Sequence, residues 1–325
     1  MEYPQTGGLL FWGGGSMIYS KPPTTLADQI GLLRSRGMRV SANAGHFLRH
    51  IGYFRLRGYW IPLEEASSHS THRFRAGVTF DDVLRLYVFD RELRLLLSDA
   101  IERIEISVRN QWVDVLAYDH GAHAHLDSGL FRSQRQFGRC LAELASEYDR
   151  SKEVHIKHYK KKYGEPDLPP LWAAVDIMTF GQFSHWLSNL KRKSVRAKIA
   201  RPYGLDEEVL ASFLHHLTVV RNICAHHGRL WNRSMTVTFK LPRSKPEALI
   251  EAIDHGPDPN QAPRKLYNTL VMTAWFLDCI SPDHHFRQRL CDLIDAHHIE
   301  TSAMGFPEQW RNCGFWRQDQ PHRTA

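Results

Sequence analysis

The stretch Phe80-Asp-Asp-Val-Leu-Arg-Leu-Tyr-Val-Phe-Asp90-Arg-Glu-Leu-Arg-Leu-Leu-Leu-Ser-Asp-Ala100-Ile-Glu-Arg-Ile-Glu-Ile-Ser-Val-Arg-Asn110-Gln-Trp-Val-Asp-Val-Leu-Ala-Tyr118 decides the fold class. Val83, Leu86, Leu93, Leu97, Ile101, Ile104, Val108, Trp112 and Val115 recur mostly three or four residues apart, with no Pro or Gly among them. That period lays the apolar groups along one stripe of a helix, so the stretch predicts one long helix, or two in series, closed by Gly121.

The same period extends in both directions. Upstream, Thr24 or Thr25 caps a short helix that carries Leu26, Ile30 and Leu33 and stops at Gly37. The segment Phe47–Leu63 is dense in aromatic residues and arginine; its rings read as core, leaving Arg49, Arg55 and Arg57 at the surface. Downstream, helices are expected over Arg132–Tyr163, Leu171–Leu190, Asp206–His227, Leu266–Ile280 and His284–His297. Lys157, Lys160, Lys161 and Lys162 form a solvated cationic face in the first of these. Thr236–Leu241 has strand-like residues, and 242–263, with its prolines and glycine, reads as a long connection. Helices and strands do not alternate, which argues against a doubly wound sheet. The expected divisions are a flexible leader over 1–20, a helical and aromatic/basic region over 21–75, a helical core over 76–243 and a C-terminal helical region over 244–325.

The composition suits a folded chain of 325 residues, with 42% apolar and 24% charged residues. A formal charge of +7 leaves a polyanionic partner open without requiring one. Cys140, Cys224, Cys279, Cys291 and Cys313 are odd in number and scattered, so they read as reduced thiols of a cytoplasmic protein rather than a disulfide framework. No run of apolar residues is long enough to span a membrane, and nothing resembles a signal peptide.

The chemistry-bearing stretch is Val220-Arg-Asn-Ile-Cys-Ala-His-His-Gly-Arg-Leu-Trp-Asn232. It puts Arg221, Asn222 and His226 on the last turns of a helix, with His227 and Arg229 beside them and Gly228 as a stop signal. A histidine near neutrality can take a proton from a ribose 2′-hydroxyl or give one to the leaving 5′-oxygen. An arginine can hold the phosphate, and an asparagine can bond a phosphate oxygen or orient the imidazole. This route needs no metal and no cofactor. Asn222 and His226 share a face, whereas Arg221 and His226 stand about 140° apart around the axis. A facing helix from a second copy or another part of the chain would close the pocket.

The segment Arg221–Arg233 resembles the signature of the AbiD/AbiF-type abortive-infection proteins, a group with HEPN ribonuclease domains. Lys21-Pro-Pro-Thr-Thr, Ile51-Gly-Tyr-Phe-Arg-Leu-Arg-Gly-Tyr-Trp60, Phe89-Asp-Arg-Glu-Leu-Arg94, Ile101–Arg109 and Thr179-Phe-Gly-Gln-Phe-Ser184 are similar to that family too, in the same order. The resemblance implies a mainly α fold, an HEPN-like helical bundle with additional N- and C-terminal helices. It also implies a metal-independent endoribonuclease that arrests infected cells by cutting RNA, with Arg221 and His226 on the family's Arg-x4-His positions. Relatives often carry an earlier Arg-x4-His; here Arg109 and Asn110 are followed by Asp114 where the histidine would stand. Val108-Arg-Asn110 nevertheless echoes Val220-Arg-Asn222, so Arg109 is a candidate partner within the chain, and a homodimer is the other way to complete the site.

Two rival readings accompany this one. Paired histidines at 215–216, 226–227, 284–285 and 297–298 suggest a metal enzyme, but neighbours on a helix point about 100° apart and chelate one ion poorly. A non-catalytic module would instead hold a structured noncoding RNA through its basic and aromatic surface, with Arg55, Arg57, Arg221 and His226 touching phosphates.

Overall fold

A computed structural model describes residues 22–66, 71–257 and 263–317, so the leader expected over 1–20 lies outside the described residues. The chain divides into two compact units, 1–83 and 84–325.

The first unit holds α1 (Leu26–Ser35), α2 (Ala44–Ile51) and α3 (Tyr53–Trp60). Thr25 is the cap of α1: its hydroxyl accepts the Asp28 N–H while the Asp28 carboxylate accepts the Thr25 N–H. Gly37, at φ +95°, turns the chain out of this helix. The aromatic segment divides: Tyr59 and Trp60 are core, but Phe54 is exposed. Arg55 lies exposed and Arg57 half-buried on α3.

The stretch Phe80–Tyr118 lies within a single helix, α4 (Phe80–His120), 41 residues long, and Gly121 follows it at φ +89°. Its first turn is capped by Thr79 and Asp82 within the first unit. The remainder buries Phe89, Leu93, Leu97, Ile104, Val108 and Trp112 in the second unit. There it is joined by α5 (Gln134–Arg150), α6 (Val154–Lys162), α7 (Leu171–Ile177), α8 (Phe180–Ser188), α9 (Lys193–Ala200), α10 (Glu207–Ala225), α11 (Glu247–Ala252), α12 (Tyr267–Ile280) and α13 (Phe286–Ala296). The architecture is a mainly α bundle; among the described residues the only β-pairing is three isolated bridges.

Two long helices expected from the sequence are each broken in two, for local reasons. Ser151 takes an extended backbone and its hydroxyl accepts the Glu153 N–H, which ends α5 before α6 begins. Thr179 does the same between α7 and α8, forming a capping box with Gln182. Helices α9 and α11 were not expected; each is short and buries only two or three apolar groups. The strand-like run Thr236–Leu241 forms no strand. It passes over α10, with the Lys240 N–H donating to the Ser212 hydroxyl and Phe239 packed on Phe213 and His216.

Helix α12 is buried along every face from Tyr267 to Leu277, which makes it a core element of the second unit. His216 of α10 ties it in. Its Nδ1 lies 2.7 Å from the Val237 carbonyl oxygen, which can only accept, so Nδ1 carries the proton and Nε2 accepts the Thr269 hydroxyl at 2.8 Å. Burial pushes the His216 pKa down to about 4, and burial with help from His123 does the same to His125. Both values are depressed in the folded state, so the unfolded chain binds more protons below about pH 6.5. The stability these rings contribute is present above pH 6.5 and is lost as pH falls toward 4, by up to about 3 kcal/mol for each ring. Thermal unfolding at pH 7.5 and pH 5 should show a clear drop in midpoint at pH 5, and His216→Asn should reduce that drop. An unchanged midpoint would contradict the assignment.

No helix among the described residues is long and apolar enough to cross a membrane.

Candidate active site

Helix α10 follows the N-cap residue Asp206, has Glu207 and Glu208 in its positive first turn, and buries Leu210, Phe213, Leu214, Leu217, Val220 and Cys224. Those core positions leave Arg221, Asn222, Ala225, His226 and His227 exposed at the other end. The stop is built by three consecutive residues. His226 is the C-cap, His227 takes the left-handed conformation at φ +56°, and Gly228 follows. The Gly228 N–H donates to the Ile223 carbonyl at 2.7 Å and the His227 N–H to the Cys224 carbonyl at 3.0 Å, a Schellman closure. The left-handed position of this closure is taken by His227 rather than by Gly228. Gly228 is needed for a different reason: a Cβ there would sit 3.1 Å from the Ile223 side chain and 3.3 Å from its carbonyl oxygen.

What holds the turn in place comes from α4. Asp90 is fully buried, and its Oδ1 accepts the N–H groups of Leu230 at 3.0 Å and Trp231 at 2.6 Å. Its Oδ2 takes the Arg94 guanidinium, and the same Arg94 nitrogen reaches the Gly228 carbonyl at 3.4 Å. One buried ion pair thus fixes the backbone on the far side of His226, while Leu230 and Trp231 plug into the core. Further along, the Lys265 ammonium bonds Asn232 at 2.7 Å. Asp90 and Arg94 were not among the candidate site residues read from the sequence. The available signal was an acid and a base four apart inside an apolar stripe, which is unusual unless the two are paired.

Helices α4 and α10 run antiparallel. Tyr203, just before α10, bonds Ser107 at 2.8 Å, whereas Cys224 and Gly228 lie beside Ser98 and Arg94. This register separates the two Val-Arg-Asn triplets. Arg109 is roughly fifteen residues beyond Arg94, about 22 Å along the helix axis. Its side chain is 12% exposed and committed: the guanidinium donates to the Val175 and Met178 carbonyls at the end of α7, pairs with Glu105 and stacks on Phe183. Arg109 is a strut for the α7–α8 junction, and the chain does not bring it to Arg221 and His226. Asn110 and Asp114 bond each other at 3.1 Å on an exposed face of the same half of α4. Arg55 and Arg57 belong to the first unit.

Within the motif, Arg221 donates to the Asn222 side-chain oxygen at 3.4 Å, which leaves the Asn222 amide hydrogens free to donate elsewhere. Burial pushes the Cys224 thiol up to about 11 against the opposing influence of Ser98 and Arg94, so this cysteine is a core group and not a nucleophile. Among the described residues, no three His, Cys, Asp or Glu side chains come together as a set that could hold a metal. The exposed groups at the end of α10 are therefore a guanidinium, an amide and imidazoles, which can supply charge stabilisation, hydrogen-bond donation and proton transfer.

A family model described as Abi-like protein matches residues 46–232, a span that runs from α2 to the residue after the Asp90-anchored turn. No curated protein and no solved structure matches the chain.

Proposed function

The chain belongs to the Abi-like protein family, and from that premise we propose that it is a metal-independent endoribonuclease of the HEPN, AbiD/AbiF type that acts in abortive infection. The observation that carries this reading is the exposure of Arg221, Asn222 and His226 on a helix end whose following turn is locked by the buried Asp90–Arg94 pair. Surface positions do not need so costly a support for stability, whereas a reacting group does need a fixed backbone.

In the proposed reaction His226 takes the proton from a ribose 2′-hydroxyl, the 2′-oxygen attacks the adjacent phosphorus, and the bond to the 5′-oxygen breaks. The departing 5′-oxygen takes a proton from water and His226 returns its own to solvent, leaving a 2′,3′-cyclic phosphate and a 5′-hydroxyl. Arg221 stabilises the charge that builds on the phosphate oxygens, and the Asn222 amide donates to one of them. A single helix end cannot surround the phosphate, and Arg109 is committed elsewhere. A second copy's α10 then supplies the opposite wall, which makes the working unit a homodimer.

The test is incubation of the purified chain with end-labelled RNA in EDTA, beside the same strand with 2′-deoxy sugars. Cleavage of the RNA alone, with cyclic phosphate ends, is the expected result. Cleavage of the deoxy strand would overturn the 2′-hydroxyl mechanism, and restoration only by added metal would overturn the metal-free one. RNA held without any cleavage would favour a binding module.

A further inference from the structure

A second feature lies on the same face of α10 as His226. Glu208, Ser212, His215, Val219, Asn222 and His226 follow one another at spacings of four and three residues, so they form one stripe along the helix. At the upstream end of the stripe is a cleft of about 430 Å³ between α8, α9, α10 and the start of α5. Its walls carry His185 and His215, whose rings stand 6.1 Å apart, with Arg132, Arg196, Lys240 and Gln136 around them.

The charges in this cleft are unevenly satisfied. Glu207 is buried between Lys193 and Arg196, at 3.7 and 3.8 Å, and Glu208 accepts the Lys240 ammonium. Both carboxylates therefore face cations, and the Glu207 Oε1 makes no hydrogen bond among the described residues. Among the described residues the Arg132 guanidinium donates to the Ser188 carbonyl alone, which uses one of its five N–H groups. Neither His185 nor His215 has a hydrogen-bond partner for its ring among the described residues. Burial, Arg139 and His215 lower the proton affinity of His185. An arginine with spare donors beside two unbonded imidazoles is a set suited to a phosphate.

We propose that this cleft is a second phosphodiester-binding subsite, which holds the RNA strand upstream or downstream of the bond cut at His226. The inference rests on the ribonuclease reading for its ligand. His215 precedes His226 by roughly eleven residues, about 16 Å along the axis. A single strand of about three to five nucleotides covers that distance. Val219 and Asn222 lie on the path between the two ends, and both are at least partly accessible. The cleft thus sets a minimum substrate length, and it favours single strands because the track follows one helix face.

The experiment uses full-length protein carrying His226→Ala, so that binding is read without turnover. The probe is a fluorescent ten-nucleotide RNA, titrated at several salt concentrations. Adding His215→Ala and Arg132→Ala should weaken binding about tenfold. The slope of log affinity against log salt should become shallower by about 0.7 for each phosphate that the protein no longer neutralises. His215 and Arg132 are exposed, so an unchanged melting temperature is the folding control. Equal affinity and equal slope with and without the added substitutions would overturn the subsite. Cleavage by the native chain is scored separately. RNA that binds through the cleft but is never cut upholds the subsite and sinks the nuclease reading; RNA that is cut with no contribution from the cleft does the reverse.

Discussion

Replacing Asp90 by Ala should lower the stability of the protein by about 3–5 kcal/mol, which for a chain of this size is a fall in melting temperature of about 5–10 °C. Three groups are affected at once. The N–H groups of Leu230 and Trp231 are left without this acceptor, and Arg94, itself buried, keeps a positive charge whose paired carboxylate is gone. A midpoint within about 2 °C of native would mean that the turn is held by the packing of Leu230 and Trp231 alone. The paired substitution Asp90→Leu with Arg94→Met separates stability from positioning. Replacing both ions by apolar groups of similar size is often close to neutral for folding. It nevertheless removes the polar ties that Asp90 and Arg94 make to Gly228, Leu230 and Trp231. A stable double variant that has lost RNA cleavage would show that the pair acts by placing His226, and full cleavage by that variant would show that it does not.

How far the sequence could be read follows from which forces leave a periodic trace. Helix α4 was legible because its apolar stripe repeats for many turns without a breaker, and so was α12, whose residues are mostly apolar with no Pro or Gly among them. The breaks at Ser151 and Thr179 were not, because each is decided by one hydroxyl competing for a nearby N–H inside an otherwise helical pattern. The motif was legible as a cluster of residue types at a helix end. Its support was not, because Asp90 and Leu230 are 140 residues apart in the chain and meet only through tertiary packing. The same limit applies to Arg109. As a sequence it looked like a second copy of Arg221, and only the antiparallel register of α4 and α10 shows that the two triplets point to different ends of the bundle. His185 and His215 likewise come together from separate helices: His215 drew notice only as the neighbour of His216, and His185 not at all.

His226→Ala should reduce RNA cleavage by about a hundredfold to ten-thousandfold, the usual contribution of a positioned acid or base. Arg221→Ala should cost about a hundredfold to a thousandfold through lost stabilisation of the phosphate charge. Both side chains are exposed and the helix is closed by backbone bonds, so neither change should move the melting temperature by more than a degree or two. Activity that survives both substitutions would remove these residues from the mechanism. The more demanding outcome concerns the two chains together. With about 140° between Arg221 and His226 on one helix, the arginine of one copy should face the histidine of the other. When the two inactive variants are mixed in equal amounts and allowed to exchange, about half of the dimers contain one of each. Each mixed dimer then has one site with both groups intact. Cleavage should therefore recover to about a quarter of the native level. A mixture that stays inactive while subunit exchange is demonstrated would rule out a site shared in this way, and the pocket around the phosphate would have to be sought within a single chain.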